Sequence, residues 1–289
     1  MAKPPVNVAA SVKARLLHLA REERQPFDVL LVRFALERLL YRLSMSPLRD
    51  QFILKGGLLL ALWLEDSNRV TRDADFLAFG DASAERLIAD FGAIMQTEAE
   101  DGLIFDTNAL TARPIREEAE YGGMRLSTTA YLERTRIPIT IDLGFGDAVA
   151  EPAAASIFPT LLDFPDPEIR VYPPATVIAE KFRAMVMLGI ANGRMKDFHD
   201  LWAIPRACAI EPDALDAAIA ATFERRGTPI PSERPPGLSP TMAEDRAKQR
   251  QWGAYAASLD LEGIAFAVVV DAAWDLVGPS CKRLLARQP

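Results

Sequence analysis

The chain has 289 residues, with 33 Lys and Arg against 40 Asp and Glu, a formal net charge of −7 and a pI near 5.1. That balance excludes a protein that coats nucleic acid through bulk charge, and it leaves room only for a local basic channel. Two cysteines (Cys208, Cys281) outside any metal-ligand or redox spacing, and two histidines (His18, His199), supply a His-rich zinc site or a Ser-His-Asp hydrolase poorly.

An apolar share of 49% with 25% charged residues is an ordinary globular composition, and the length suits one large domain or a core with helical additions. The first twenty residues lack a continuous apolar core, and residues 29–43 are interrupted by Arg33, Glu37, Arg38 and Arg42. Neither export nor a membrane span is expected, and a reducing cytoplasm fits the cysteine usage. Apolar residues at helical spacing over 9–22 and 27–43 (Leu30, Leu31, Phe34, Ala35, Leu39) predict an N-terminal helical layer, closed by Pro47. His18, among leucines, reads as an ordinary helix residue.

Residues 51–54 predict a short strand that leads into Lys55-Gly56-Gly57, followed by an apolar helix over 58–64 and a polar break at 65–68. Next comes Arg69-Val-Thr-Arg-Asp73-Ala-Asp75-Phe, with a second strand over 74–79. A glycine pair lets backbone approach a ligand closely and exposes N–H groups at a helix start, where the dipole favours a phosphate. Asp73 and Asp75 are two apart, so on a strand both carboxylates point to one side. Oxygen ligands held this way suit Mg²⁺.

The joint pattern of KGG, apolar helix and RxTxDxD resembles the AbiEii/AbiGii type of nucleotidyltransferase toxins, relatives of the DNA polymerase β superfamily that act in bacterial toxin–antitoxin pairs. That superfamily usually has Gly-Ser at the loop, whereas this chain has Gly56-Gly57, so backbone amides, with help from Lys55, would hold the phosphate. The resemblance implies an α+β fold: a nucleotidyltransferase core with a small mixed sheet, N-terminal helices and a C-terminal helical half. Residues 1–150 would form the helices and core, and 151–289 the mostly helical half that completes the site.

Farther along, Ser83 is the expected N-cap of a helix over 84–99. Strands are predicted over 102–107, 113–117 and 123–129, with Arg134 and Arg136 in the following turn. In 137–143, Ile137, Ile139, Ile141 and Leu143 fall on one face, and Thr140 and Asp142 on the other. Asp142 is then either a solvated residue on a half-buried strand or the third metal carboxylate that the resemblance implies. Three converging carboxylates would repel one another and raise each other's pKa, and a cation is the natural compensation.

The Pro-rich segment 151–174 reads as a connector carrying one strand at 168–171. Thr176 is positioned to cap a helix through Lys181 to about residue 189, with Asn192-Gly193 breaking it and a new helix starting near Met195. On that helix Asp197 and Asp200 share a face, and Phe198, Leu201 and Trp202 supply the buried side. A surface salt-bridge helix involving Arg194 and Lys196 would look the same. The resemblance instead implies an active-site lysine, Lys181, and an active-site aspartate, Asp200 or Asp197. Residues 225–240 read as a mobile linker, and 242–257 and 261–285 as amphipathic helices packed through Trp252, Tyr255, Phe266 and Trp274. Arg246, Lys248, Arg250, Lys282, Arg283 and Arg287 are candidates for an RNA-facing surface.

Together these features imply a Mg²⁺-dependent transferase, with Mn²⁺ as an alternative metal, that uses an NTP as substrate. The acceptor that the resemblance implies is RNA, a tRNA 3′ end, with a cognate antitoxin protein as partner and no membrane. Transfer to a protein side chain, or a non-catalytic binding protein on the same fold, are the competing readings.

Overall fold

The computed structural model describes residues 7–64, 71–115 and 123–287. The expected polar break at 65–68, Arg69, and the last two residues of the strand expected over 113–117 lie outside them. The described residues form two compact units: 7–62, 71–115, 123–146 and 154–171 group as the first, and 63–64, 147–153 and 172–287 as the second. The expected boundary between 150 and 151 falls within 147–153, which groups with the second unit, while 154–171 groups with the first.

The first unit opens with α1 (Val8–Glu22), whose Asn7 side chain accepts the Ala10 N–H as a cap, and α2 (Phe27–Met45). Next follow β1 (Phe52–Lys55), α3 (Gly56–Leu59) and β2 (Ala74–Ala78). The helix expected over 58–64 therefore starts at Gly56 and continues as a 3₁₀ turn over Leu60–Leu62. α4 (Ala84–Met95) is capped by Ser83 through the Arg86 N–H, as its sequence predicts, and ends before residue 99. β3 (Leu103–Phe105), β4 (Thr111–Ile115), β5 (Gly123–Leu132) and β6 (Thr135–Phe145) complete the central strands. Arg136 lies in β6 opposite Tyr131 and not in the turn, because the β5–β6 ladder runs up to Leu132↔Thr135.

Residues 151–174 hold the expected strand at 168–171 and one more that was not expected, over 154–157. They carry β7 (Ala154–Ile157) and β8 (Glu168–Val171), an antiparallel hairpin that joins the sheet through β8 alongside β1. Among the described residues the sheet is mixed and eight-stranded, in the order β3-β5-β6-β2-β1-β8-β7, with β4 also on β5. β2 is antiparallel to β1 and parallel to β6. Alternation fixes its two faces. Phe76 points with Phe52 toward Phe91 of α4, ring centroids 5.0–6.2 Å apart, while Asp75 points the other way. α2 packs on β6, β8 and α4, and it is buried nearly all round because the β7–β8 loop also wraps it: Phe164 meets Phe34, and Arg38 donates to the Pro165 carbonyl.

The second unit is helical. It comprises α5 (Pro174–Leu188), α6 (Met195–Ala207), α7 (Pro212–Arg225), α8 (Pro240–Glu244), α9 (Arg246–Ala257) and α10 (Phe266–Ala286). Thr176 is not the cap of α5. Pro173 holds the N-cap position and Pro174 opens the helix, where a missing N–H costs nothing, so Thr176 lies buried one turn in. The helix expected over 242–257 is split at Asp245, which caps α9 by accepting from Ala247 and Lys248, and the last helix starts at Phe266, not 261.

Residues 225–240 are tied down in this structure: Arg226 pairs with Asp147 at 2.6 Å and Arg234 with Asp271 at 2.6 Å. Gly237 sits so close to α5 that a Cβ would lie 2.2 Å from the Met185 carbonyl oxygen. Trp252 and Phe266 are buried and stacked, and Trp252 donates to the Ile264 carbonyl.

Candidate active site

Asp73 and Asp75 end up side by side because β2 begins between them, and β6 brings Asp142 into register with Asp75. One carboxylate oxygen from each of the three lies within 4.8 Å of the other two. Burial raises the Asp75 pKa to about 6, with Asp73 and Asp142 adding repulsion, while Lys55 and the Gly57 N–H counteract it. Three hard oxygen donors crowded enough to raise a carboxyl pKa fit a divalent cation such as Mg²⁺ or Mn²⁺. Thr71 orients Asp73, its Oγ1 donating to the carboxylate at 2.9 Å.

The glycines serve this carboxylate first. Gly56 has φ +69, and a Cβ there would fall 1.9 Å from an Asp75 oxygen, so any side chain would displace the carboxylate. The Gly57 amide, expected to face a phosphate, donates to the Asp75 carboxylate. Lys55 is the register partner of Asp75 on β1.

Sequence reasoning missed Arg125. It sits directly opposite Asp142 across β5–β6 and binds both carboxylate oxygens, Nε at 2.7 Å and Nη2 at 2.6 Å. That bidentate bond pushes its guanidinium pKa further above the usual range. A signal was available: once the hairpin turn is placed at Glu133 and Arg134, counting eight residues away from them on either strand pairs the two.

In the second unit, packing of α5 on α6 places the Lys181 ammonium 2.7 Å from Asp197 and 2.7 Å from Asp200. Asp200 is fully buried and also meets Nδ1 of His199 at 3.3 Å. Asp197 and Asp200 thus both converge on Lys181. The buried Asn192 forms the intervening turn, its Oδ1 accepting the Arg194 N–H.

The six basic residues considered for RNA contact divide. Lys248 donates to the Asn192 carbonyl at 2.7 Å, Arg283 is bidentate to Asp216, and Arg287 lies 3.6 Å from Asp216. Arg246, Arg250 and Lys282 stand exposed.

Carboxylates on adjacent strands beside a glycine turn are what a nucleotidyltransferase needs, oxygen ligands for a cation next to backbone that approaches a phosphate closely. The particular family is given by sequence. The model described as nucleotidyl transferase AbiEii toxin, type IV TA system, matches residues 38–276, and the chain belongs to that family. It is a nucleotidyltransferase of a toxin–antitoxin family. Among solved structures it is similar to an H. pylori protein assigned as a nucleotidyltransferase, at 12% identity and TM-score 0.41, covering 90% of this chain and 97% of that one. It is also similar to JHP933 from Helicobacter pylori, at 12% identity and TM-score 0.37, covering 88% and 96%. No curated protein matches the sequence. Among the described residues, no helix is long and apolar enough to cross a membrane.

Proposed function

We propose that the chain transfers a nucleoside monophosphate from an NTP to an RNA acceptor, a tRNA 3′ end, in a Mg²⁺-dependent reaction that Mn²⁺ also supports. The observation that carries this reading is the convergence of Asp73, Asp75 and Asp142. A divalent cation bound there supplies neutralisation of phosphate charge and acidification of an attacking hydroxyl. Asp73, held by Thr71, and Asp75, held by the Gly57 N–H, keep two carboxylates pointed at that position. Lys55, Gly56 and Gly57 form the nucleotide-binding edge on the β1 side. Lys181 is the second unit's candidate triphosphate contact, with Asp197 and Asp200 fixing its ammonium. A cognate antitoxin is the expected partner, in keeping with the type IV toxin–antitoxin family, and the cytoplasm the expected location.

Incubating the protein with α-labelled NTPs and either total RNA or total protein tests the reading. Label on RNA supports it. Label on protein alone moves the acceptor to a side chain, and label on neither leaves a binding protein on this fold.

A further inference from the structure

The sheet register lines up five charged residues across neighbouring strands: Lys55, Asp75, Asp142, Arg125 and Arg113. Directly opposite residues share a face, so this row crosses the carboxylate cluster with a cation on one flank and two on the other. Arg125 and Arg113 are exposed on that second flank, on adjacent strands. Two like charges directly opposite destabilise a strand pair unless an anion lies between them. Asp142 offers only part of that compensation, because both its oxygens go to Arg125.

We propose that Arg113 and Arg125 form a phosphate-binding subsite for the acceptor strand, a phosphodiester of single-stranded RNA, bordering the carboxylate cluster on its Asp142 side. This rests on the transferase reading above. In-line displacement sets the acceptor and the departing pyrophosphate on opposite sides of the α-phosphate. With the triphosphate on the Lys55 flank, the acceptor approaches from the flank that carries the two arginines. Guanidinium groups suit that role, since their fork matches two phosphate oxygens. Arg125 is held against Asp142 until the acceptor arrives, and moving it to the acceptor phosphate frees the Asp142 oxygens. The subsite also gives an acidic protein the local attraction for RNA that its net charge denies it.

The test uses the full chain and the variants Arg113→Ala, Arg125→Ala and their combination. Each is titrated with an end-labelled single-stranded RNA bearing a free 3′ hydroxyl across a KCl series, and separately with Mn²⁺ and with a non-hydrolysable NTP. Each single substitution should weaken RNA binding roughly tenfold. Each should also make the log–log salt slope shallower by about 0.7. Arg113→Ala should keep wild-type NTP affinity, Arg113→Lys should keep the salt slope, and Arg125→Ala should bind Mn²⁺ more tightly. A double variant with wild-type RNA affinity and slope would overturn the subsite, as would Arg113→Ala losing NTP affinity while RNA binding holds. Failure of the underlying reading shows elsewhere: Mn²⁺ and NTP binding undiminished in Asp75→Asn would remove the transferase site, and the acceptor subsite with it, whatever the arginines do.

Discussion

Two charged clusters in the first unit are built on opposite terms. Around Asp101, Arg42 binds both carboxylate oxygens at 2.7 and 3.0 Å, Arg38 binds one at 3.1 Å, and the Leu103 N–H adds another bond at 3.0 Å. All three charged residues are buried, and the guanidinium groups lie over aromatic rings, Arg38 on Tyr41 at 4.1 Å and Arg42 on Phe105 at 5.1 Å. That cluster surrounds its one carboxylate with two guanidinium groups and pins α2 to the strand end. Asp73, Asp75 and Asp142 bring three carboxylates together with one guanidinium, and burial, with repulsion from the other two carboxylates added, pushes the Asp75 pKa up to about 6. In the structural cluster, both oxygens of the lone carboxylate already have guanidinium partners. The carboxylate cluster leaves negative charge for something that binds.

Substitution should separate the two by what it damages. Asp73→Asn or Asp75→Asn should lower turnover at least roughly a thousandfold, because several kcal/mol of transition-state stabilisation are lost with the ligand set. Thermal melts of the same variants should match wild type or exceed it, since like-charge repulsion is relieved. Asp101→Asn should do the reverse. Leaving two buried guanidinium groups without their carboxylate costs about 3–5 kcal/mol, readable as a lower denaturant midpoint.

Glu37 sharpens the comparison further, because it is a buried carboxyl near Arg38 that is only partly compensated. It accepts from Arg33 at 3.0 Å and from the Leu161 N–H at 2.9 Å, yet burial raises its pKa to about 7. The folded pKa exceeds the unfolded one, so the folded state holds the proton longer. Its contribution is complete below about 4.5 and is lost as pH rises through about 7, up to roughly 3 kcal/mol. Glu37→Gln should flatten the stability–pH curve over that window in denaturant titrations. The smallest effect belongs to the second unit: Lys181→Ala should raise the NTP concentration needed for half-maximal rate roughly tenfold and leave RNA affinity unchanged, as initial-rate and binding curves would show.

Elements whose signal is local were legible in the sequence. The period-2 run from Ile137 to Leu143 sets Asp142 on the polar side of β6, Ser83 caps α4, and the three-residue spacing of Asp197 and Asp200 sets both on one face of α6. What stayed hidden depends on partners far along the chain. The strand at 168–171 was legible, but its hairpin partner β7 was not, because the prolines that flank β7 and fill the β7–β8 loop read as a connector. Arg38 and Arg42 read as polar interruptions of a helix, since nothing near them in sequence announces Asp101. Gly56 reads as a phosphate turn, and only the β1–β2 register shows that Asp75 occupies the space of its missing side chain.

The most direct test of the carboxylate cluster as a metal-dependent transfer site is Mn²⁺ binding followed by electron paramagnetic resonance, in wild type and in Asp75→Asn, each with a non-hydrolysable NTP. Wild type should bind the ion and Asp75→Asn should lose it while keeping a cooperative thermal transition. Equal binding in the two proteins would contradict the assignment.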